Sequence, residues 1–465
     1  MTTQPTQPHA AAAPLERGLG LLQSIALNVN NMVGIGPFIT IPLFIASMQG
    51  PQAMIGWVVA ALLVLCDGLV WSELGAALPG SGGTYHFLRE AFRPYRWGRL
   101  MPFLFIWQFL ISGTLEMASG YIGAVGYLKY AFPNLQPTFE AWGVPLGWNA
   151  LGAAACAGTV LMLSRRIQVV GWLGVALAAG TIVTVVTVIG AGLTHFNPSL
   201  LQPPPDAFHV NLAFLVGLGG AMRIAIYDFF GYYNICHLGD EVRDPARTIP
   251  RAIMISVLLV GALYLTMNLS IIAVVPWQEA MKSENVAALF MERLFGRHVA
   301  VAFTGLIVWT AMACNFAITL GYSRIPYAAA REGDFFSVFG RVHPQEHYPR
   351  VSLWAIGGLT AVFCFLPLQH VIDAAVTVRI LVQFVGQIVA LHILRTKRPD
   401  VPLPFRMWLY PIPSLAALAG WVFLWASSGW TLILAGVGVI GSGCAVFFVW
   451  QTIAKRRLPA TTALE

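Results

Sequence analysis

The sequence predicts an all-α integral membrane protein with about twelve transmembrane helices. Of its 465 residues, 57% are hydrophobic and 10% are charged, whereas a soluble domain carries roughly 25% charged residues. The mean hydropathy is +0.70. Apolar runs long enough to cross a bilayer, about 18 residues or more, recur along the whole chain. These three observations together place the chain in the membrane.

Twelve stretches share this apolar composition. They cover residues 22–48, 53–77, 98–131, 147–163, 168–193, 210–238, 250–275, 299–328, 351–367, 371–394, 407–427 and 430–453. We expect a core over residues 17–395, made of two inverted five-helix repeats, 17–195 and 207–395, because five spans per half invert the second half relative to the first. Residues 396–453 are expected to add two further helices.

The first span is interrupted near its middle. Residues 33–37, Val-Gly-Ile-Gly-Pro, break a run from residue 19 to residue 48 that is almost free of charge. Inside lipid, non-helical backbone persists only where it is buried in protein or lines a cavity. The sixth span has a second interruption at residues 227–234, where an acid, a glycine and an asparagine lie among aromatic residues. Matched breaks in two halves point to a binding site of a transporter.

The distribution of charge predicts the orientation. The net charge is +7, but most of the 27 lysines and arginines fall at span ends and loops on the side of the N-terminus. Basic loops stay cytoplasmic, so we expect both termini in the cytoplasm and no nucleic-acid partner. The few basic residues expected on the opposite side are Lys129, Lys282, Arg293 and Arg297.

The tails and the cysteines carry little further signal. Residues 1–16 are rich in Thr, Gln, Pro and Ala, which predicts a disordered cytoplasmic N-tail, and residues 454–465 are expected to form a cytoplasmic C-tail. All six cysteines fall inside apolar stretches, so no disulfide-linked partner chain is expected. The short loops suit a bacterial inner membrane, where the spans are in contact with lipid.

Four motifs in order carry a family resemblance. They are the Gly34–Gly36 break, the Pro-x-Ser-Gly-Gly-x-Tyr loop at 79–85, the Glu-Val-x-x-Pro…Ile-Pro-Arg stretch at 241–251, and the Ser-Arg…Ala-Arg-Glu-Gly loop at 323–333. Together they resemble the amino acid–polyamine–organocation (APC) permeases. The resemblance implies the five-plus-five inverted-repeat fold of sodium-coupled amino-acid symporters, with helices 1 and 6 broken. It also implies secondary active transport of amino acids or related amines by alternating access.

The resemblance assigns a substrate site to the two breaks. It implies that the backbone N–H groups of Gly34, Ile35 and Gly36 bind a substrate carboxylate. It likewise implies that carbonyls of Tyr227, Asp228 and Phe230 receive the substrate ammonium. Physical chemistry supports both assignments, since a helix N-terminus attracts an anion and freed carbonyls suit a cation.

The coupling ion and the substrate charge stay open. Residues 167–194 contain no lysine, although some proton-coupled relatives carry one in the fifth span. Asp228 stands where relatives more often show a small or hydroxyl residue. It could bind a cationic group, carry a coupling proton, or brace the broken helix through a hydrogen bond. A proton gradient or exchange is favoured over sodium, and a polyamine or cationic amine is the alternative substrate.

Three further polar residues lie inside spans. Glu116, in span three, could contact a cation or form a hydrogen bond to a neighbouring helix. Asn315 and Thr319 are four residues apart and share one face of span eight. They could meet a coupling ion, but hydrogen bonding between helices is the favoured role.

No catalytic site is predicted. Residues 343–347 spell H-x-x-E-H, a zinc-protease motif that needs a helix to bring its histidines together, and Pro344 and Pro349 argue against a helix there. We therefore expect no enzyme activity, no metal and no cofactor. A membrane amino-acid sensor that does not transport is the alternative of another class, although both expected tails are short for an output module.

Overall fold

The chain is almost entirely helical. The computed structural model describes residues 17–80, 82–141, 146–164, 167–346 and 348–457, and only the backbone of 167–179 and 454–457. Within these residues there are nineteen α-helices, and two isolated bridges are the only β pairing. The predicted tails at 1–16 and 458–465 lie outside the described residues.

The first half of the described chain holds eight α-helices and a 3-10 turn, Pro51–Ala53, before the third of them. The helices are α1 Leu21–Met32, α2 Gly36–Met48, α3 Met54–Ala77, α4 Thr84–Phe92, α5 Leu100–Ala131, α6 Leu135–Ala141, α7 Gly147–Leu163 and α8 Ile167–Thr194. The helices α4 and α6 are short connectors, and the others coincide with predicted spans.

The second half begins after a 3-10 turn at Pro198–Leu201. Its helices are α9 Leu212–Phe229, α10 Pro245–Ile272, α11 Trp277–Ala280, α12 Val286–Phe295, α13 Arg297–Tyr322, α14 Arg324–Arg331, α15 Arg350–Phe363, α16 Leu368–Arg379, α17 Gly386–Lys397, α18 Ile412–Ala426 and α19 Trp430–Arg457. Further 3-10 turns lie at Asn234–His237, Gly239–Glu241 and Ser337–Gly340, and a π-helical turn, Ile380–Val385, joins α16 to α17.

The predicted membrane spans are present. In the described part of the chain, seven continuous helical segments are long and apolar enough to cross a membrane, and α1 with α2 makes an eighth that is bent by 53° at its break. Four shorter apolar helices are α7, the Gly180–Thr194 part of α8, α15 and α18. These segments coincide with the twelve predicted stretches, so the all-α membrane fold is confirmed. The two-repeat division stays a prediction.

The sixth span breaks later than predicted. Helix α9 continues through Phe229, so Tyr227 and Asp228 lie in its last turn, and the non-helical segment is 230–233. Gly231 has a φ of +105°, which only glycine adopts readily. A Cβ there would lie 2.8 Å from the Cβ of Asn31. The turn is therefore set by the glycine and by its close approach to α1.

The two broken spans lie in the interior of the bundle. Helix α2 packs against α9, α1 packs against α10, and α5 packs against α13 and α16. In the most apolar stretch of α5, 78% of the residues are buried, whereas in that of α19 only 22% are buried. Helix α19 thus stands at the periphery, and the interruptions face α5 and α13.

Candidate functional site

The first break leaves two backbone amides without acceptors. Helix α1 ends at Met32, whose carbonyl accepts hydrogen bonds from the Gly34 N–H at 3.0 Å and the Tyr264 hydroxyl at 2.5 Å. Pro37 stands in the first turn of α2, where its fixed φ suits a helix start. Among the described residues, no acceptor takes the N–H of Ile35 or Gly36. These amides stand at the positive end of α2.

The second break leaves carbonyls without donors. The Tyr227 carbonyl accepts the Phe230 N–H at 3.1 Å. No described residue donates a hydrogen bond to the carbonyl of Asp228 or Phe230. Two of the three carbonyls predicted to receive an ammonium group therefore remain available, while that of Tyr227 is already engaged.

Asn28 joins the two breaks, a role that the sequence analysis missed. Its Nδ2 donates to the Tyr232 carbonyl at 2.8 Å, and its Oδ1 accepts the Ile235 N–H at 2.9 Å. The side chain is fully buried. An asparagine in an apolar span was the available signal, because a buried amide needs partners on a neighbouring element.

A small cavity lies between the breaks. Its volume is about 30 Å³, room for about two water molecules. Eight of the nine predicted site residues line it, and Thr319 does not. The lining residues are Asn31, Met32, Gly34, Ile35, Gly36, Glu116, Gly120, Tyr227, Asp228, Phe230, Ala311, Cys314, Asn315 and Ile318. The structure thus brings both breaks and two intramembrane acids, Glu116 and Asp228, to one place.

Asp228 faces Gly36 across this cavity. Its Oδ2 accepts the Thr40 hydroxyl at 2.6 Å, and its buried Oδ1 has no hydrogen-bond partner among the described residues. A Cβ on Gly36 would overlap Oδ1. The neighbouring titratable groups are Tyr227, Tyr264 and Cys314. No described arginine or lysine forms an ion pair with this carboxylate.

Glu116 has a different environment. Its Oε2 accepts Nη2 of Arg379 at 2.5 Å and the Tyr322 hydroxyl at 2.8 Å. Glu116 is 7% exposed and Arg379 is fully buried. The predicted hydrogen bond to neighbouring helices is present, as part of an ion pair between α5 and α16. The predicted contact with a cation of the substrate stays a prediction.

Other charges inside the spans are also paired, which the sequence analysis did not foresee. Asp67 accepts the Trp421 indole N–H at 3.0 Å and the Tyr232 hydroxyl. The available signal was that Glu73, Asp373 and Arg379 are charges inside apolar stretches, where a charge needs a partner. The remaining ion pairs between spans are Arg223–Asp373 at 3.3 Å and Arg395–Glu73 at 2.6 Å. Asp228 is the only acid in the described spans with a buried oxygen that lacks a partner.

Asn315 and Thr319 pack against α5. The Asn315 amide lies against Gly120, where a Cβ would be 2.6 Å from it. The Thr319 hydroxyl donates to the Asn315 carbonyl at 2.6 Å and to Met117 Sδ at 3.2 Å. Thr319 thus contacts the neighbouring helix, and its predicted role at a coupling ion stays a prediction.

A charged network lies where α4 meets the loop after α14. Asp334 accepts hydrogen bonds from Tyr85 at 2.8 Å and Arg99 at 2.9 Å, and pairs with Arg89 at 2.9 Å. Burial, together with Asp334 and Glu332, raises the pKa of Tyr85. The hydroxyl therefore stays protonated and donates to these carboxylates.

The H-x-x-E-H segment does not form a helix where it is described. Residues 344–346 form a turn, in which His343 Nδ1 accepts the Glu346 N–H at 3.2 Å. His347 lies outside the described residues, as does Ser81 of the loop at 79–85. The described part of the motif lacks the geometry that zinc-protease chemistry needs.

Comparison with known proteins decides the family. Residues 19–460 match the family model described as amino acid permease. The chain belongs to the amino acid permease family. This confirms the APC resemblance, so the protein is a multi-pass membrane protein whose function is amino acid transport.

Individual relatives agree with this assignment. The permease is 28% identical to Asc-type amino acid transporter 1 of Homo sapiens, over 95% of this chain and 84% of that protein. It is 25% identical to a branched-chain amino acid permease of Bacillus subtilis, over 94% and 93%. An uncharacterized transporter of Mycobacterium tuberculosis is 29% identical over 97% and 96%. These relatives are named as transporters, not as enzymes.

Proposed function

We propose that this permease carries neutral amino acids and moves one proton with each of them. The observation that supports this most is the charge balance of the cavity. Its α5 wall holds Glu116, which Arg379 neutralises, and its α2 wall faces Asp228, which has no cationic partner among the described residues. A single exchangeable charge therefore faces the substrate.

The amides of Ile35 and Gly36 would hold the substrate carboxylate. They have no other acceptor among the described residues, and the helix dipole of α2 adds a favourable potential for an anion. The carbonyls of Asp228 and Phe230 would receive the ammonium group. Both ends of the zwitterion then meet backbone groups that lack partners in this structure.

The side chain of the substrate would lie against α5 and α13. That wall contains small or apolar residues, Gly120, Ala311, Cys314 and Ile318. An apolar wall beside Glu116, whose charge Arg379 neutralises, suits a substrate with a neutral side chain. The small volume of the cavity implies that the surrounding helices separate when the substrate enters.

The proton follows from the position of Asp228. A substrate carboxylate at the Gly36 amide would lie close to Asp228 Oδ1, and two carboxylates that share a site cannot both ionise readily. Asp228 would therefore take up a proton as the substrate binds, and release it when the substrate leaves. Sodium coupling finds no such support in the cavity.

Alternating access would move the broken spans. We expect α1, α2 and α9 to rock against α5, α7, α13 and α15, as transporters of this type do. The Asp334 network would form the cytoplasmic closure of the bundle, with both termini in the cytoplasm. A bacterial inner membrane, with lipid around the spans, is the proposed location.

A second candidate is transport of cationic amines. The partnerless oxygen of Asp228 favours it, because an ionised carboxylate at this depth attracts a cation. The two candidates differ in what neutralises Asp228. In the neutral-substrate proposal it is a proton, and in the second candidate it is the positive charge of the substrate.

Uptake into proteoliposomes separates the two candidates. Labelled alanine uptake is measured with an inward proton gradient, with leucine, serine, arginine and putrescine as competitors. We expect competition by leucine and serine alone, and faster uptake with the gradient. Competition by arginine or putrescine would contradict the neutral assignment. Alanine counterflow without a gradient would exclude a sensor that does not transport.

A further inference from the structure

Glu116 is a carboxylate that lines the cavity and is neutralised from behind. Its Oε2 receives hydrogen bonds from Arg379 and Tyr322, whereas Oε1 accepts none from the described residues. Arg379 itself does not line the cavity. Glu116 can therefore contact a substrate in the cavity, whereas its counter-ion, Arg379, does not reach the cavity surface.

The guanidinium of Arg379 is fixed in place. Nε donates to Ser112 at 3.1 Å, and Nη1 donates to Tyr233 at 3.4 Å. The guanidinium carbon lies 4.5 Å from the ring centroid of Phe230, and Phe230 itself lines the cavity. Contacts with Ser112 and Glu116 on α5, and with the residues after α9, therefore hold the positive charge of Arg379 just behind the cavity wall.

We infer that Arg379 is a positioning residue that sets the charge selectivity of the cavity. It neutralises Glu116, so a cationic side chain on the substrate finds no counter-ion on the α5 wall. This inference rests on the proposed transport of neutral amino acids. Without the arginine, Glu116 would be an uncompensated carboxylate in a medium of low dielectric constant, where one unit charge changes cation affinity by roughly tenfold or more.

The decisive variant is Arg379→Gln. The ratio of labelled lysine uptake to labelled alanine uptake is measured in proteoliposomes and compared with that of the unaltered protein. We expect the ratio to rise by about tenfold or more. A variant that transports alanine but leaves this ratio unchanged would overturn the inference.

A neutral pair provides the matched control. The double variant Glu116→Gln with Arg379→Gln removes both charges and keeps two side chains that form hydrogen bonds. Its lysine-to-alanine ratio should return to the original value, whereas a merely structural effect of losing Arg379 would persist in it. A ratio that stays raised in the double variant would contradict a charge-based role.

Glu116→Gln alone keeps the inference testable if Arg379→Gln does not fold. It leaves the arginine uncompensated behind the wall, so aspartate should compete with alanine uptake and lysine should not. Unchanged exclusion of aspartate would overturn the inference. Failure of the proposed function is distinguished by the unaltered protein, which would then already take up lysine or would not take up alanine.

Discussion

Two helices that line one cavity, α5 and α9, carry acids in opposite situations. Glu116, on α5, accepts hydrogen bonds from a fully buried arginine and from a tyrosine. Asp228 lies against the start of α2, with one hydrogen bond from Thr40 and one oxygen that has no described partner. The same chemical group at similar burial therefore has a fixed counter-ion on one helix and none on the other.

This difference indicates which acid can change its charge. A buried ion pair is held because either partner alone would be an uncompensated charge, so Glu116 and Arg379 depend on each other. Asp228 has no ion-pair partner among the described residues, and for this reason we propose it as the group that exchanges a proton. Charge selectivity would then depend on Glu116 of α5, and proton coupling on Asp228 of α9.

Breaking the ion pair should have the largest effect on stability. Glu116→Ala leaves Arg379 buried and unpaired, and we expect the free energy of unfolding to fall by about 3–5 kcal/mol. Denaturant titration of the purified protein measures it. Arg247→Gln is the control, since its exposed pair with Asp244 should contribute below about 1 kcal/mol. If Glu116→Ala lowered the free energy of unfolding by less than about 1 kcal/mol, the contrast between a paired Glu116 and an unpaired Asp228 would be contradicted.

Adding a side chain at Gly36 should have the second largest effect on stability. A Cβ there would overlap Asp228 Oδ1, so Gly36→Ala should destabilise the protein by about 1–3 kcal/mol through overpacking. Adding Asp228→Ala should restore most of that stability. Gly321→Ala, at a helical glycine with open space around it, should instead be neutral or slightly stabilising. Equal thermal shifts at both glycines would contradict the close approach.

Removing the hydroxyl at Thr40 should have the smallest effect. Thr40→Val deletes the single hydrogen bond to Asp228, and we expect a loss of about 0.5–1.5 kcal/mol in the free energy of unfolding. Thr187→Val, at an exposed hydroxyl that bonds only to its own helix, serves as the control. A loss as large as that of Glu116→Ala would mean that Asp228 depends on a partner as strongly as Glu116 does.

The spans and the first break could be predicted because the bilayer imposes them. Hydropathy locates a helix that crosses lipid, and Gly34 and Gly36 mark where the helix stops. The residues of the first break and Phe230 line the cavity for the same reason, since broken backbone at that depth must face protein or a cavity.

The pairing of the charges could not be predicted. Glu116 and Arg379 are 263 residues apart, and only the packing of α16 on α5 brings them together. The exact end of α9 also depended on tertiary contact, because Gly231 turns where it meets Asn31. Span position is encoded locally, whereas the charge balance of the site is a property of the assembled bundle.

The most direct measurement is proton movement driven by the amino acid. Proteoliposomes that contain a pH-sensitive dye are given an inward alanine gradient, for the unaltered protein and for Asp228→Asn. We predict that alanine entry acidifies the lumen with the unaltered protein, and that Asp228→Asn exchanges alanine without moving protons. Equal acidification by both proteins would contradict the assignment of the exchangeable charge to Asp228.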